Sequence, residues 1–342
     1  MVTLSAPAMT RRTREASEPA IEIRSLVKRY DTVEAVKGID LSIAQREIFG
    51  FLGPNGAGKS TTISVLCTLL RPTSGTASVA GFDVDRYPSQ VRQRIGLVFQ
   101  DPSLDADLTA RENLNFHALA YGVPRSGRAE RIASALKMVE LEERADSRVR
   151  TFSGGMKRRL EIARGIIHSP EVLFLDEPTI GLDPQTRASV WEHLREIHAR
   201  SPITIFMTTH YMEEAEWCDR IAIIDHGTIV ALGSPSELKA SVGGDVVVVS
   251  TSDDDKAVAE IWETFEIEAV KGDSEVRIEV ANGPEFVPQL IERLSVPVLT
   301  VTVRQPSLDD VFLKLTGRAI REEDADPKAA WRNMGRVWGG RR

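Results

Sequence analysis

Only two cysteines, Cys67 and Cys218, occur in 342 residues. Two thiols cannot build a disulfide framework, so a stapled secreted scaffold is excluded and a reducing, cytoplasmic setting is expected. Long apolar runs are missing as well. A membrane helix needs about 20 such residues, whereas stretches such as 64–70 stop after one or two turns. Nor is there a surplus of positive charge: Lys and Arg number 43 against 50 Asp and Glu, a net −7. That balance argues against nucleic acid as a general partner. Residues 1–20 carry scattered Arg and Glu with no apolar segment. They read as a disordered leader and not as a signal peptide.

The remaining composition, 42% hydrophobic and 27% charged, is ordinary for a chain with a real core, and the length suits about two domains. Short β-branched runs alternate with helical periods, which predicts an α/β fold. Strands are expected at 48–52, 95–100, 172–176, 203–208 and 221–225, with a helix over 58–70. Residues 108–121 and 128–139 place apolar side chains at three- and four-residue spacing, with Gly122 and Pro124 between them. They predict a helical insertion over about 110–150. Ser, Pro and a Gly pair in 234–244 read as a linker. Beyond it, residues 245–303 read strand, helix, strand, strand, helix, strand, the order of a small ferredoxin-like α+β domain. Residues 318–342 read as a flexible tail.

Gly53-Pro54-Asn55-Gly56-Ala57-Gly58-Lys59-Ser60 matches G-x-x-x-x-G-K-[ST] between an expected strand and an expected helix. Its glycines let backbone N–H groups turn inward around a β-phosphate. Lys59 is placed to reach the β- and γ-oxygens, Ser60 to hold Mg²⁺, and the helix N-terminus with Thr61 adds partial positive charge. A second carboxylate site then has to exist for the metal. Val172-Leu173-Phe174-Leu175-Asp176-Glu177 offers one, a buried strand with two acids where it emerges. Asp176 would bind Mg²⁺ and Glu177 would polarise the water that attacks the γ-phosphate. The plain alternative is a strand ending in two solvated acids.

Thr151-Phe152-Ser153-Gly154-Gly155-Met156-Lys157-Arg158-Arg159 lies just upstream of that acidic strand and opens a helix expected over 160–168. Physically it is another anion site, a Ser hydroxyl and free N–H groups at a helix start. Its Ser153-Gly154-Gly155 core resembles the signature motif of ATP-binding-cassette (ABC) ATPases. The resemblance implies a P-loop NTPase cassette over 21–235, with a RecA-like core and a helical subdomain at about 108–168, followed by the α+β domain at 245–317. It also implies that ATP joins two copies head to tail, each copy's signature facing the nucleotide of the other.

Further positions are similar to the same family. Gln100 resembles the Q-loop glutamine that senses Mg²⁺ and the membrane partner, and Gly181-Leu182-Asp183 the D-loop between subunits. His210 resembles the switch histidine at the γ-phosphate, and Tyr30 the aromatic that stacks on adenine. Each residue alone leaves a second reading open. Gln100 could cap a loop, Asp183 could cap a helix starting near Pro184, Tyr30 could be a half-buried strand aromatic, and His210 could be a satisfied strand-end histidine.

Three positions depart from the common pattern: Met156 stands where Gln is usual, Phe152 where Leu is usual, and Ile180 where a small residue is frequent. Met156 removes a polar contact, and the run Lys157-Arg158-Arg159 either compensates electrostatically or is a solvated helix face. Residues 99–105 and 307–317 resemble the daunorubicin/doxorubicin-resistance branch. That resemblance implies an energising subunit for export of drugs, lipids or polysaccharide precursors. It implies a separate permease and a place on the inner face of the cell membrane. A soluble ABC ATPase acting on ribosome or DNA is the alternative; such proteins usually carry two cassettes, coiled coils or iron–sulfur cysteines.

Leu308, Val311, Phe312 and Leu315 share a helical face and are expected to pack back on the same or the opposite cassette. The C-terminal α+β segment reads either as a ligand-binding module or as a support for the dimer. Residues 328–342 hold Trp331, Trp338, five basic residues and no acids. They read as a mobile tail or as a contact to anionic lipid or the permease.

Overall fold

A computed structural model describes residues 18–101, 103–272 and 275–317. The leader up to residue 17 and the tail with Trp331 and Trp338 lie outside the described residues. The chain divides into two compact units, one of residues up to 29, 37–47 and 61–206, the other of 30–36, 48–60 and 207 onward. No helix among the described residues is long and apolar enough to cross a membrane.

In the first unit, strand Ile21–Tyr30 pairs antiparallel with Ser74–Val79, setting Ile21 opposite Val79 and Ile23 opposite Ala77. Strand Ile95–Val98 runs parallel to Val172–Asp176, with Leu97 opposite Phe174. Val172, Leu173, Phe174 and Leu175 are all buried, as a parallel strand covered on both faces requires. Helix Gly154–Ile166 packs so closely on Ile95–Val98 that a Cβ on Gly96 would fall 2.2 Å from the Gly165 carbonyl oxygen.

Thr109 starts helix Ala110–Ala120 through a capping box with Glu112, satisfying two otherwise unpaired N–H groups. Helices Ala110–Ala120, Arg128–Met138 and Gly154–Ile166 share one cluster around Leu114, Leu136 and Leu160. Phe152 is buried in that cluster, and Met156 packs against it. The two departures from the usual signature pattern therefore fill this helical core.

In the second unit, Ile48–Leu52 runs parallel to Arg220–Asp225, which pairs antiparallel with Thr228–Gly233. Strand Thr204–Thr209 carries the chain from the first unit into the second. The expected linker contains a helix instead, Pro235–Ala240, with a Ser234–Glu237 capping box and Pro at its start. Ser-Pro-Ser-Glu is a helix-start signature that a Ser/Pro-rich composition conceals.

The C-terminal strands lie in the order Ala269–Lys271, Val276–Val280, Asp245–Thr251, Val298–Arg304, all antiparallel. Helices Asp254–Phe265 and Gly283–Arg293 cover one face, around Val247, Val249, Ile278, Ile261 and Leu290. This is the ferredoxin-like order expected from the sequence. Arg277, Glu279 and Arg304 alternate with those core positions and so point to the other face. There, helix Leu308–Thr316 is held by Asp310 on Arg304 and by Lys314 on Glu279 and the Val242 carbonyl. Its Leu308, Val311 and Phe312 are buried, so this helix packs within its own chain.

Several ends differ from expectation. The helix after the glycine-rich loop runs Lys59–Leu66, shorter than 58–70. Leu69 N–H bonds to Ser64 O and Thr68 N–H to Val65 O, with Thr68 at φ 63. This is a Schellman stop with threonine in the position glycine usually takes, so no glycine announces it. The helix expected at 160–168 begins at Gly154, because Ser153 caps it, and ends at Ile166. The strand expected at 95–100 ends at Val98, which leaves Gln100 on the following loop.

Candidate nucleotide-binding and hydrolysis site

The candidate residues fall into two groups, one in each unit apart from Thr61, which belongs to the first unit. The first group is the glycine-rich loop. Buried strand Ile48–Leu52 delivers the chain to Gly53, whose N–H bonds to Thr209 O at 3.2 Å. A Cβ on Gly53 would sit 2.3 Å from Ile224 O. Gly58 has φ +109, and a Cβ there would meet Ala35 O at 2.5 Å, so both backbone conformation and space demand glycine. Gly56, at φ +79, faces open space. Ala57 is tied by its carbonyl to Gly227 N–H at 3.0 Å and by its own N–H to Pro54 O.

Lys59 opens the helix and is only 4% exposed. Its ammonium group donates to Gly53 O at 2.7 Å and Pro54 O at 3.1 Å, so it lies folded over its own loop. Asn55, Gly56 and Ser60 are exposed and Thr61 is half-buried. A loop bare of Cβ atoms where it turns, a helix N-terminus and a buried ammonium together fit a polyphosphate.

His210 follows strand Thr204–Thr209 and is buried, its ring 4.1 Å from that of Tyr211. Thr209 fixes this turn. Its hydroxyl donates to the buried Glu214 carboxylate at 2.6 Å and accepts from Tyr211 N–H at 2.9 Å. Glu214 was not singled out from sequence, since an acid in a short helix carries no motif. Tyr30 is half-buried at the end of its strand, which is also what its plain reading describes.

The second group surrounds the end of strand Val172–Asp176. Asp176 is 9% and Glu177 7% exposed, so neither is a freely solvated acid. Glu177 takes φ 45, a left-handed conformation that is uncommon outside glycine and characteristic of strained functional turns. The Asp176 charge adds to the effect of burial in raising the neighbouring Cys67 thiol well above its ordinary value, burial being the larger cause. Arg158 from the Gly154–Ile166 helix reaches this turn and the Gln100 loop, as developed below. It is buried, so the basic run is not a uniformly solvated face. Arg159 instead donates to Val139 O at 3.1 Å.

Ser153 caps its helix by accepting from Met156 N–H at 3.3 Å. A Cβ on Gly155 would lie 2.4 Å from Thr186 Cγ2, so this glycine is packed directly on the helix Pro184–Arg200. Asp183 caps that helix, accepting from Thr186 N–H at 3.0 Å and from its hydroxyl at 2.6 Å. The hydroxyl and then the N–H hold the Asp183 carboxyl below the usual range. The capping role of Asp183 is thus real, and it is compatible with a role toward a partner. Gln100 is exposed between Phe99 and Asp101.

A strand–glycine loop–helix unit ending in Gly-Lys-Ser defines a P-loop NTPase. The ABC transporter family matches residues 36–180. The C-terminal domain of DrrA1-3-like ATP-binding proteins matches residues 233–316. The chain is 40% identical over 318 residues to the daunorubicin/doxorubicin resistance ATP-binding protein DrrA of Streptomyces peucetius, covering 91% of this chain and 96% of that one. It is 37% identical to the linearmycin resistance ATP-binding protein LnrL of Bacillus subtilis, covering 88% of this chain and 100% of that one. The Nod factor export ATP-binding protein I of Ralstonia nicotianae is 40% identical over 90% of this chain and 96% of its own length. A dimeric ATP-binding cassette solved in a post-hydrolysis state with ADP and Pi superposes with a TM-score of 0.58 at 27% identity. That likeness covers 63% of this chain and 98% of that one. The chain therefore belongs to the ATP-binding subunits of ABC transporters, in the branch that carries the DrrA-like C-terminal domain.

Proposed function

We propose that this protein hydrolyses ATP to drive export of a drug-like, lipid or polysaccharide substrate through a separate membrane permease. The observation that carries the reading is the glycine-rich loop: a buried lysine over a turn where two glycines admit no Cβ. In this reading residues 21–235 are the cassette, 245–317 the accessory α+β domain, and the permease places the protein on the inner face of the cell membrane. The resistance and export relatives support the same assignment.

The backbone N–H groups of residues 53–58 and the Lys59 ammonium bind the phosphates and hold them in one orientation. Tyr30 stacks on the base, and Thr61 belongs to the same helix start. Ser60, Asp176 and Gln100 are oxygen donors of the kind Mg²⁺ takes and would hold it; bound there, it would supply neutralisation of the phosphate charge. Glu177, held in a buried turn, orients and polarises the attacking water. His210, fixed by the Thr209–Glu214 contact, is placed to contact the γ-phosphate. Catalysis of this kind is mostly positioning and charge stabilisation.

Ser153, Gly154, Gly155 and Asp183 serve the nucleotide of a second copy, so the working form is a head-to-tail homodimer. A mixing experiment tests this directly. Lys59→Ala and Ser153→Arg proteins should each be inactive, while the mixture regains activity through the one intact site that a mixed dimer contains. Failure of the mixture to gain activity over either variant, with both still folded, would overturn the shared-site reading.

A further inference from the structure

We infer that Arg158 is a positioning residue that locks the turn carrying Glu177 to the loop carrying Gln100. The inference rests on the ATPase reading of that turn.

Arg158 lies in the signature helix, yet only 6% of it is exposed. Its guanidinium has five N–H donors in a fixed planar fork, and the contacts use all three nitrogens. Nε donates to Pro178 O. Nη2 donates to Asp176 O at 3.3 Å and Glu177 O at 3.2 Å. Nη1 donates to Phe99 O and to the Glu161 carboxylate at 3.0 Å.

Three successive backbone carbonyls, 176 to 178, therefore converge on one cation. Such convergence is unfavourable without a positive charge at its focus, and it occurs where Glu177 is held at φ 45. The guanidinium supplies that charge. A lysine ammonium is a compact point charge with three donors and cannot span carbonyls on both sides.

The other end of the contact runs to the Gln100 loop. Phe99, directly before Gln100, is bound by Arg158 itself. Ser103, three residues after it, donates its N–H to Glu161 Oε1 at 2.7 Å, and Glu161 is fully buried. Arg164 adds bonds to the Ser103 carbonyl at 2.9 Å and hydroxyl at 2.6 Å. The signature helix thus grips the Gln100 loop on both sides of the glutamine, and the same ion pair grips the hydrolytic turn. A shift of the Gln100 loop changes what Arg158 can hold at Glu177. That is a physical route by which a contact at the loop gates hydrolysis.

The test compares full-length Arg158→Lys with wild type in a Mg-ATP hydrolysis assay. The expected result is a fall in kcat of about 10- to 100-fold, the effect of a misplaced catalytic group, with the KM for ATP within about threefold. A second variant, Arg158→Met with Glu161→Met, removes both partners of the buried pair together, leaving Arg164 without the Glu161 carboxylate but still bonded to Ser103. It is expected to stay folded by circular dichroism and to show the same loss of kcat. Wild-type kcat in either folded variant would overturn the proposal, as would a loss confined to KM. Glu177→Gln, assayed alongside, separates the two levels. If it retains full turnover, the ATPase reading of the turn fails; if it is inactive while Arg158→Lys is fully active, only the Arg158 inference fails.

Discussion

Replacing Gly155 with alanine tests the packing of this glycine on the helix Pro184–Arg200. The new Cβ would lie 2.4 Å from Thr186 Cγ2, well inside van der Waals contact. Thr186 cannot simply rotate away, because its hydroxyl and N–H both hold Asp183. Overpacking of this kind costs about 1–3 kcal/mol. Alanine inside a helix returns about 0.5–1 kcal/mol relative to glycine, so a net loss of roughly 1–2 kcal/mol is expected. For a unit of 150–250 residues each kcal/mol lowers Tm by about 2–4 °C.

Adding Thr186→Ser removes the clashing methyl. The next contacts of the new Cβ, with Thr186 Cβ and Oγ1, are 3.7 Å away and ordinary, and the serine hydroxyl keeps the bond to Asp183. The double variant should therefore recover most of the stability lost. A double-mutant cycle read by denaturant or thermal unfolding should give a coupling above 1 kcal/mol. Effects that simply add to within about 0.5 kcal/mol would show that the two residues do not meet as described.

Gly58→Ala should abolish nucleotide binding, because its φ of +109 and the Ala35 carbonyl at 2.5 Å both exclude a side chain; a fluorescent ATP analogue reads this, and wild-type affinity would contradict it. His117 is held down to about 4, chiefly by burial, then by the charges of Arg164 and His168. Its neutral form is the one the fold accepts, so stability is complete above its unfolded pKa near 6.5 and is lost as pH falls toward 4. His117→Gln should flatten the Tm profile between pH 6.5 and 5, and an unchanged slope would refute this. Asp310→Asn should cost about 2 kcal/mol by weakening charge-assisted bonds to Arg304. Burial pushes the Asp310 carboxyl up, but the guanidinium of Arg304 and the Ser307 N–H and hydroxyl outweigh it and hold it below the usual range. Its contribution is therefore present above pH 4 and disappears in stronger acid, which pH-dependent unfolding of the two proteins would reveal.

Much of the candidate site is legible in the sequence because its chemistry is local. A glycine loop between strand and helix, and two acids ending an apolar strand, declare themselves within a few residues. Parallel strands buried on both faces read as unbroken apolar runs, and Ile48–Leu52 and Val172–Asp176 fall where expected. The C-terminal strand and helix order was readable from alternation for the same reason.

What was hidden depends on distant partners. Arg158 looks like part of a basic surface until carbonyls from residues 99 and 176–178 are seen around it. Helix Pro235–Ala240 was masked by loop-like composition, although Ser234 and Glu237 form its capping box. The early stop at Leu66 uses Thr68 in a glycine-like conformation, which sequence statistics disfavour.

The most direct measurement is ATP turnover and ATP binding by Glu177→Gln beside wild type. The account predicts that wild type hydrolyses ATP, while the variant keeps its affinity, loses about 10²–10⁴-fold in kcat and accumulates as an ATP-bound dimer. Turnover by Glu177→Gln at the wild-type rate would contradict it.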